Sequence, residues 1–426
     1  MALYLGIDIG TSGCRAAVLD ERGAQVATQH VAMAPPQHSG ARIEQNSWIW
    51  WAAVCTLLEK LAEKVPMRQI EAIAVDGTSG TLLLTDESGH PLCNALMYND
   101  ARSAQQAEEI AALAPAESGA HGACSALAKL LWLQQQGVPS GTRHALHQAD
   151  WIAGQLSDQF GISDENNSLK LGYDIVQRCW PPWVEALGID HSLLPKVTVP
   201  GTPIGTIRKE IARQFGLTAQ TTIVSGTTDS IAAFLATGAA EIGDAVTSLG
   251  STLALKVLSD QPIFAPKYGI YSHRLNDRWL VGGASNCGGA TLLQFFNKQQ
   301  LAAMTPQLKP HCPTGLGYYP LPARGERFPI NDPNLAPRTT PRPTSDLLFF
   351  QGLLEGITAV EKQGYQKLVS FGAPYPKRIF TMGGGANNPA WHEMRQAALG
   401  TTVERCHDVI TARGTALLAL KGSALS

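Results

Sequence analysis

Leu5-Gly6-Ile7-Asp8-Ile9-Gly10-Thr11-Ser12-Gly13 places a carboxylate two residues ahead of a notch of small and hydroxylic residues. Apolar Leu3, Leu5, Ile7 and Ile9 alternate with small or polar positions, and a second apolar run from Cys14 to Leu19 follows the turn. That periodicity predicts two strands joined as a β-hairpin. Gly10 and Gly13 permit positive φ and let backbone N–H groups approach an anion, and the Thr11 and Ser12 hydroxyls add donors. Asp8 then sits where Mg²⁺ needs an oxygen ligand, directly or through water. The hairpin suggests a nucleoside triphosphate site. An ordinary glycine-rich hairpin with a solvated Asp shares this spelling, so the motif alone leaves both readings open.

Two further segments repeat the theme. Asp244 to Leu258 again runs strand, Gly250-Ser251-Thr252 turn, strand. Arg378 to Gly400 runs strand Arg378-Ile379-Phe380-Thr381-Met382, a Gly383-Gly384-Gly385-Ala386-Asn387 loop, then a helix with Asn388 as N-cap and Pro389 at N1. Glycines at a helix N-terminus invite phosphates or the sugar edge of a nucleotide. Two phosphate hairpins on two halves and one nucleotide loop are the signature of the actin-like ATPase architecture.

From Gly6 to Gly414 the chain resembles the FGGY carbohydrate kinases. Cys124-Ser125-Ala126-Leu127-Ala128-Lys129-Leu130-Leu131-Trp132 is similar to the family's first signature, although a plain amphipathic helix fits it equally. Gly325-Glu326-Arg327 with Asp332-Pro333 is similar to its Gly-Glu-Arg loop, and Gly352 to Glu361 to its second signature helix. Gly226-Thr227-Thr228-Asp229 matches the Gly-x-x-Asp that carries the catalytic base in the family. The resemblance implies an α/β fold of two actin-like ATPase (ribonuclease H-like) domains flanking a central cleft. It places an N-terminal domain at 1–236, a nucleotide-binding C-terminal domain at 237–409, and a last helix, 410–426, returning to the first domain.

Composition agrees. A chain of 426 residues is too long for a single core, and a net charge of −2 leaves no electrostatic footprint for nucleic acid or an anionic membrane. Its eight cysteines form no Cys-x-x-Cys pair, which points to reduced thiols rather than zinc. Asp8 lies too close to Met1 for a signal peptide between them, and no uninterrupted apolar stretch approaches about 18 residues, so a cytoplasmic protein is expected. A monomer or small homo-oligomer is expected. Trp48 to Lys64 reads as a helix with an apolar face at Ile49, Ala52, Ala53, Leu57 and Leu61. Ten of the 26 prolines lie between Pro306 and Pro343, and Tyr318, Tyr319, Leu321, Phe328 and Ile330 give that irregular loop something to bury.

The acceptor is expected beyond the strand ending at Val75, where ligands meet the carboxyl ends of parallel strands. There Asp76, Gly77, Thr78 and Ser79 suit a polyol, and Tyr98 and Asp100 belong to a segment similar to the family's Trp-x-Asp-x-Arg, with Tyr98 in place of Trp. Asp150-Trp151-Ile152 repeats the family's Asp-aromatic motif, and Asn166 to Asp174 departs from its pattern without an assignable role. The spelling Asp-Gly-Thr-Ser-Gly-Thr, the short length and Gly282 to Ala290 look most like a compact subgroup from cyanobacteria and plants, often labelled xylulose-kinase-like. That resemblance implies D-ribulose as acceptor, with D-xylulose second.

The implied roles follow from phosphoryl transfer. Asp229 accepts the proton of the C5 hydroxyl and also touches substrate; Asp8 helps hold Mg²⁺ among the phosphates of ATP. Thr11, Ser12, Gly13, Gly250, Ser251 and Thr252 donate to the transferring group, and Gly384, Gly385 and Asn388 border the adenosine. Trp391 either stacks on adenine or packs its helix. The chain has no Gly-Lys dipeptide, which excludes a P-loop, and no Gly-x-Ser-x-Gly elbow. Two rivals remain: a dinucleotide enzyme, since Gly383-x-Gly385 has Glu404 about 20 residues later, and a non-catalytic actin-like sensor.

Overall fold

The computed structural model describes residues 1–406 and 410–424. Residues 407–409, the end of the expected second domain, and 425–426, the end of the expected last helix, lie outside it. The chain divides into two compact units, Met1–Gly238 with Ile410–Ser426 and Ala239–Val409.

In the first unit a six-stranded sheet runs, edge to edge, Pro203–Thr206, Thr222–Thr228, Ile70–Gly77, Leu3–Ile9, Gly13–Asp20 and Gln25–Ala32. The Leu3–Ile9 and Gly13–Asp20 strands form the expected antiparallel hairpin, whereas Ile70–Gly77 and Thr222–Thr228 join in parallel. All seven residues of Leu3–Ile9 are buried, because helices cover both faces. Leu3, Leu5, Ile7 and Ile9 share a core with Trp50, Val54 and Leu57 of helix Trp48–Ala62. On the opposite face lies helix Thr411–Ser423. It approaches so closely that a Cβ on Gly6 would stand 2.1 Å from the Ala412 carbonyl oxygen and 2.2 Å from the Ala416 nitrogen. Tyr4, Ala72, Ala74, Val224 and Leu418 fill the rest of that face.

The face of the Trp48–Ala62 helix differs from expectation. Trp50, Ala53, Val54, Leu57, Leu58 and Leu61 are the buried set; Ile49 is partly buried and packs against the same core, whereas Ala52 is exposed. Trp50 draws the stripe toward itself because its indole N–H donates to Gln45 Oε1 (2.7 Å) inside the core. A smaller sheet containing Leu82–Thr85 and His144–His147 carries helices Ala104–Leu113 and Ala126–Gln136 over a separate apolar cluster.

The second unit repeats the plan. Its strands run Tyr271–Leu275, Arg278–Ser285, Leu253–Ser259, Asp244–Leu249, Arg378–Met382 and Thr402–Arg405. Asp244–Leu249 pairs antiparallel with Leu253–Ser259 and parallel with Arg378–Met382. An antiparallel hairpin at the centre of the sheet is foreign to the all-parallel dinucleotide fold, and the rival built on Gly383-x-Gly385 loses its framework. The 25-residue helix Asp346–Ser370 packs on this sheet through Phe349, Phe350, Leu353, Leu354 and Ile357. The proline-rich loop is ordered by burying Tyr318, Tyr319, Leu321 and Phe328 in the same core, but Ile330 is 39% exposed and takes no part. Glu326 anchors it: the buried carboxylate accepts from Ser285 Oγ (2.5 Å), the Asn286 N–H (2.8 Å) and Tyr319 OH (3.0 Å). Among the described residues, no helix is long and apolar enough to cross a membrane.

Candidate active site

Three aspartates meet at one edge of the first sheet because three parallel strands end there. Asp8 stands opposite Asp76 in the parallel register, Thr227 and Thr228 stand opposite Asp76 and Gly77, and Asp229 opens the helix Asp229–Ala236 one residue later. Asp8 and Asp76 lie on the face covered by the C-terminal helix, whose Thr415 hydroxyl donates to Asp76 Oδ2. Asp76 is fully buried. Burial, first, and then the charges of Asp8 and Asp229 push its carboxyl well above the ordinary range. Burial also raises Asp8, against the pull of Arg15, whose Nη1 lies 3.4 Å from Asp8 Oδ2. Asp229 Oδ1 accepts the N–H of Ser230 at 2.6 Å.

Thr11, Ser12 and Gly13 occupy the hairpin turn, closed by a Gly10 N–H to Gly13 carbonyl bond of 3.0 Å. A Cβ at 13 would stand 2.6 Å from His30 Nε2 and 3.0 Å from the Val31 carbonyl oxygen, so a larger residue there must push the His30 ring aside. Asp8 fits a magnesium ion as one of few protein ligands, since Mg²⁺ keeps several waters and takes phosphate oxygens. Among the described residues, no group of three or more His, Cys, Asp or Glu is placed to hold a metal.

The acceptor loop is supported from two helices. Gln148 Oε1 accepts from the Thr78 N–H (3.0 Å) and the Thr78 hydroxyl (2.8 Å), and Thr78 Oγ1 also meets Thr81 Oγ1 at 2.6 Å. The Thr78 side chain is thus tied to Gln148 and Thr81, which fixes the shape of the loop. Asp100 is likewise held by protein partners. Its buried carboxylate accepts from Arg102 through Nε (2.9 Å) and Nη2 (2.7 Å) and from the Ile43 N–H (2.6 Å), and the guanidinium lies 4.9 Å from the Trp132 ring centroid. Tyr98, 41% exposed, and Gly77 and Ser79 stay at the expected places, with Gly77 packed on Gln148.

Sequence reasoning missed two lysines under this loop. Lys129, wholly buried on the Ala126–Gln136 helix, donates to the carbonyls of Gly80 (2.7 Å) and Cys124 (3.0 Å), and burial lowers its pKa to about 7. Lys170 donates to the Ser79 carbonyl at 3.3 Å. A lysine on an amphipathic helix reads as solvated, so only the unexplained Asn166 to Asp174 segment marked the second one. Asp150 belongs to a capping box with His147 (Nδ1 to Oδ2, 2.9 Å), and Trp151 Nε1 donates to the Gly89 carbonyl at 2.8 Å; both are structural.

In the second unit, Gly250, Ser251, Gly384, Gly385, Asn388 and Trp391 line one cavity of about 650 Å³; Thr252, in the same turn, is outside its lining. Leu292, Leu293, Leu301 and Phe350 make the remaining wall apolar, which no sequence motif announced. A flat aromatic base suits such a wall, and the glycine backbone suits its phosphates. Asn388 caps the Pro389–Leu399 helix as expected, accepting the Trp391 N–H at 2.9 Å. Trp391 takes the packing option: it is 2% exposed, and its Nε1 donates to Thr358 Oγ1 at 2.9 Å. A buried network holds the two sides of the cavity together. Arg395 donates to both oxygens of Glu361 (2.7 Å each) and to Thr381 Oγ1 (2.7 Å), and Thr247 Oγ1 donates to Glu361 Oε1 at 2.6 Å.

Comparison with known proteins agrees with this architecture. The chain is 24% identical to the xylulose kinase of Escherichia coli (strain K12) over 412 residues, 92% of this chain and 84% of that protein. Among solved structures, a xylulose kinase from Rhodospirillum rubrum superposes with a TM-score of 0.86 at 21% identity, covering 99% of this chain and 90% of the other. A gluconate kinase from Lactobacillus acidophilus gives 0.86 at 18% identity over 100% and 90%. At these identities the structures speak for the fold alone. The N-terminal domain of the FGGY family of carbohydrate kinases matches residues 3–236 and its C-terminal domain residues 238–423. With both family domains accounted for from end to end and the actin-like sheet present in each unit, the chain belongs to the FGGY family of carbohydrate kinases.

Proposed function

We propose that the protein transfers the γ-phosphoryl group of ATP to the C5 hydroxyl of a ketopentose, D-ribulose before D-xylulose. The observation that carries the reading is the meeting of Asp229, Asp8 and Asp76 at the strand ends beside the small polar loop Gly77–Gly80. In this reading the first unit holds the acceptor and the base, and the second holds the nucleotide. Asp229 accepts the proton of the C5 hydroxyl as its oxygen forms a bond to the γ-phosphorus, and the bond to the β,γ-bridging oxygen breaks to release ADP. A positioned base of this kind contributes roughly 10²–10⁴-fold. Mg²⁺, where bound near Asp8, offsets phosphate charge. Asp76 keeps that carboxylate in place, and the Thr11–Gly13 and Gly250–Thr252 turns supply donors to phosphate oxygens.

D-Ribulose stands first on the Asp-Gly-Thr-Ser-Gly-Thr spelling from Asp76 to Thr81. D-Xylulose stands second because similar curated proteins, from Escherichia coli and Lactococcus lactis among others, are named xylulose kinases. A coupled ADP-release assay across D-ribulose, L-ribulose, D-xylulose, glycerol and no sugar separates them. D-Ribulose is expected to be fastest, and Asp229→Ala to lower sugar-dependent turnover at least 100-fold while nucleotide still binds. Sugar phosphorylation retained in that variant removes Asp229 from the base role. ADP release indifferent to every sugar points to a sensor instead.

A further inference from the structure

Lys170 sits in the short turn Leu169–Leu171, directly after the Glu165–Ser168 helix. Its stem runs along the acceptor loop: Cδ lies 3.3 Å from the point where Gly80 would carry a Cβ, and Gly80 itself has φ +89°. A Cβ at 80 would press on this stem and on the Cys124 carbonyl oxygen (3.2 Å), in a backbone conformation that favours glycine. The ammonium reaches one protein acceptor, the Ser79 carbonyl, at 3.3 Å, longer than an ordinary N–H···O bond. An ammonium has three donors, and two of Lys170's have no acceptor among the described residues.

Lys129 shows what a structural lysine looks like at the same loop. It is fully enclosed, and two carbonyls at 2.7 and 3.0 Å take its donors. Lys170 is only partly buried and makes the weaker bond to the preceding carbonyl. Burial lowers its pKa, and the charge of Asp229 is the foremost influence raising it, which places the ammonium within the electrostatic reach of that carboxylate. Gln148, which holds Thr78 of the loop, and Asn167 and Ser168 of the helix preceding Lys170 keep buried polar atoms without a hydrogen-bond partner among the described residues, namely Gln148 Nε2, Asn167 Oδ1 and Ser168 Oγ. Buried polar groups are seldom left in this condition, and a cluster of them beside a cation with unused donors suits a ligand rich in oxygen.

We propose that Lys170 contacts the acceptor, donating to a hydroxyl or carbonyl oxygen of the sugar and holding it against Asp229. This rests on the acceptor assignment above and adds a residue to it. A charged donor is needed because the sugar offers only neutral oxygens, and a hydrogen bond to a charged group is about twice as strong as a neutral one.

The test is steady-state kinetics of Lys170→Met, with the sugar and ATP varied separately. Loss of one charged hydrogen bond raises the sugar KM about 10- to 100-fold. The ATP KM and the slow ATP hydrolysis without sugar stay within twofold. Lys170→Gln, which keeps an N–H donor, is expected to fall between, and serves alone if the methionine variant melts early. A sugar KM unchanged within twofold in both variants overturns the proposal, as does an equal rise in both KM values. If the wild type phosphorylates another polyol of the panel and no ketopentose, the ketopentose reading has failed, and the same comparison with that polyol still decides the role of Lys170.

Discussion

Arg395 and Glu361 offer the sharpest test of how the second unit is held. Both side chains are buried, at 1% and 0% exposure, and the guanidinium makes two 2.7 Å bonds to the carboxylate and a third to Thr381 Oγ1. Arg395→Met removes the partner of a carboxylate that water does not reach, leaving it only the Thr247 hydroxyl at 2.6 Å. Removing one member of such a pair costs about 3–5 kcal/mol, whereas replacing both by apolar groups of similar volume is often near neutral. For a unit of this size each kcal/mol moves Tm by about 2–4 °C, so Arg395→Met is expected to lower the melting of this unit by roughly 6–20 °C. Glu361→Met is expected to do the same from the other side, by stranding the guanidinium. The double variant is expected to recover most of the loss, giving a coupling of at least about 2 kcal/mol in a denaturant-unfolding cycle. Thr247 and Thr381 precede the Gly250–Thr252 turn and the Gly383–Asn387 loop, so both single variants are also expected to raise the KM for ATP more than that for sugar. Additive losses, with the double variant as damaged as the sum of the singles, refute the claim that one enclosed ion pair joins these elements.

Two further outcomes follow from burial. Asp164 is enclosed, and burial with the charge of Asp150 raises its carboxyl to about 7, so the folded chain holds this proton between about pH 4 and 7 where the unfolded chain has released it. Its share of stability is full below about pH 4 and is lost as pH rises to about 7, a change of about 4 kcal/mol; Asp164→Asn, which can still cap the Glu165–Ser168 helix, is expected to flatten that part of the urea-midpoint profile relative to wild type, and a parallel profile contradicts the assignment. Gly414→Ala places a Cβ 1.8 Å from the Ala232 carbonyl oxygen, so helix Thr411–Ser423 must shift away from Asp229–Ala236; a loss of at least about 2 kcal/mol is expected, and a Tm within 1 °C of wild type would show that the two helices tolerate separation.

The residues that were legible in the sequence and those that were not differ in the range over which their geometry is set. Both hairpin turns and the Asn388-Pro389 helix start were readable because each is fixed within a few residues, by a short turn between two apolar runs or an amide that caps its own helix. The meeting of Asp8, Asp76 and Asp229 was partly readable, since each stands at the end of an apolar strand run, although their register is a property of the assembled sheet. Polar atoms are different: whether a hydroxyl or carboxylate faces a ligand depends on a partner that spacing does not reveal. Thr78 is engaged by Gln148, 70 residues away, and Asp100 by Ile43, 57 residues away, partners that the local spelling of neither segment announces. Lys129 and Lys170 fail in the opposite direction. A lysine in an apolar run reads as surface, yet the Gly80 carbonyl draws Lys129 fully inside and the Ser79 carbonyl holds Lys170 partly buried beside the loop. The acceptor loop is therefore the part of the molecule where local pattern and tertiary partner disagree most. Departure from the family's spelling at Asp76–Thr81 and at Asn166–Asp174 falls on the two segments that Lys170 joins, so a change of acceptor between relatives is expected to alter both together.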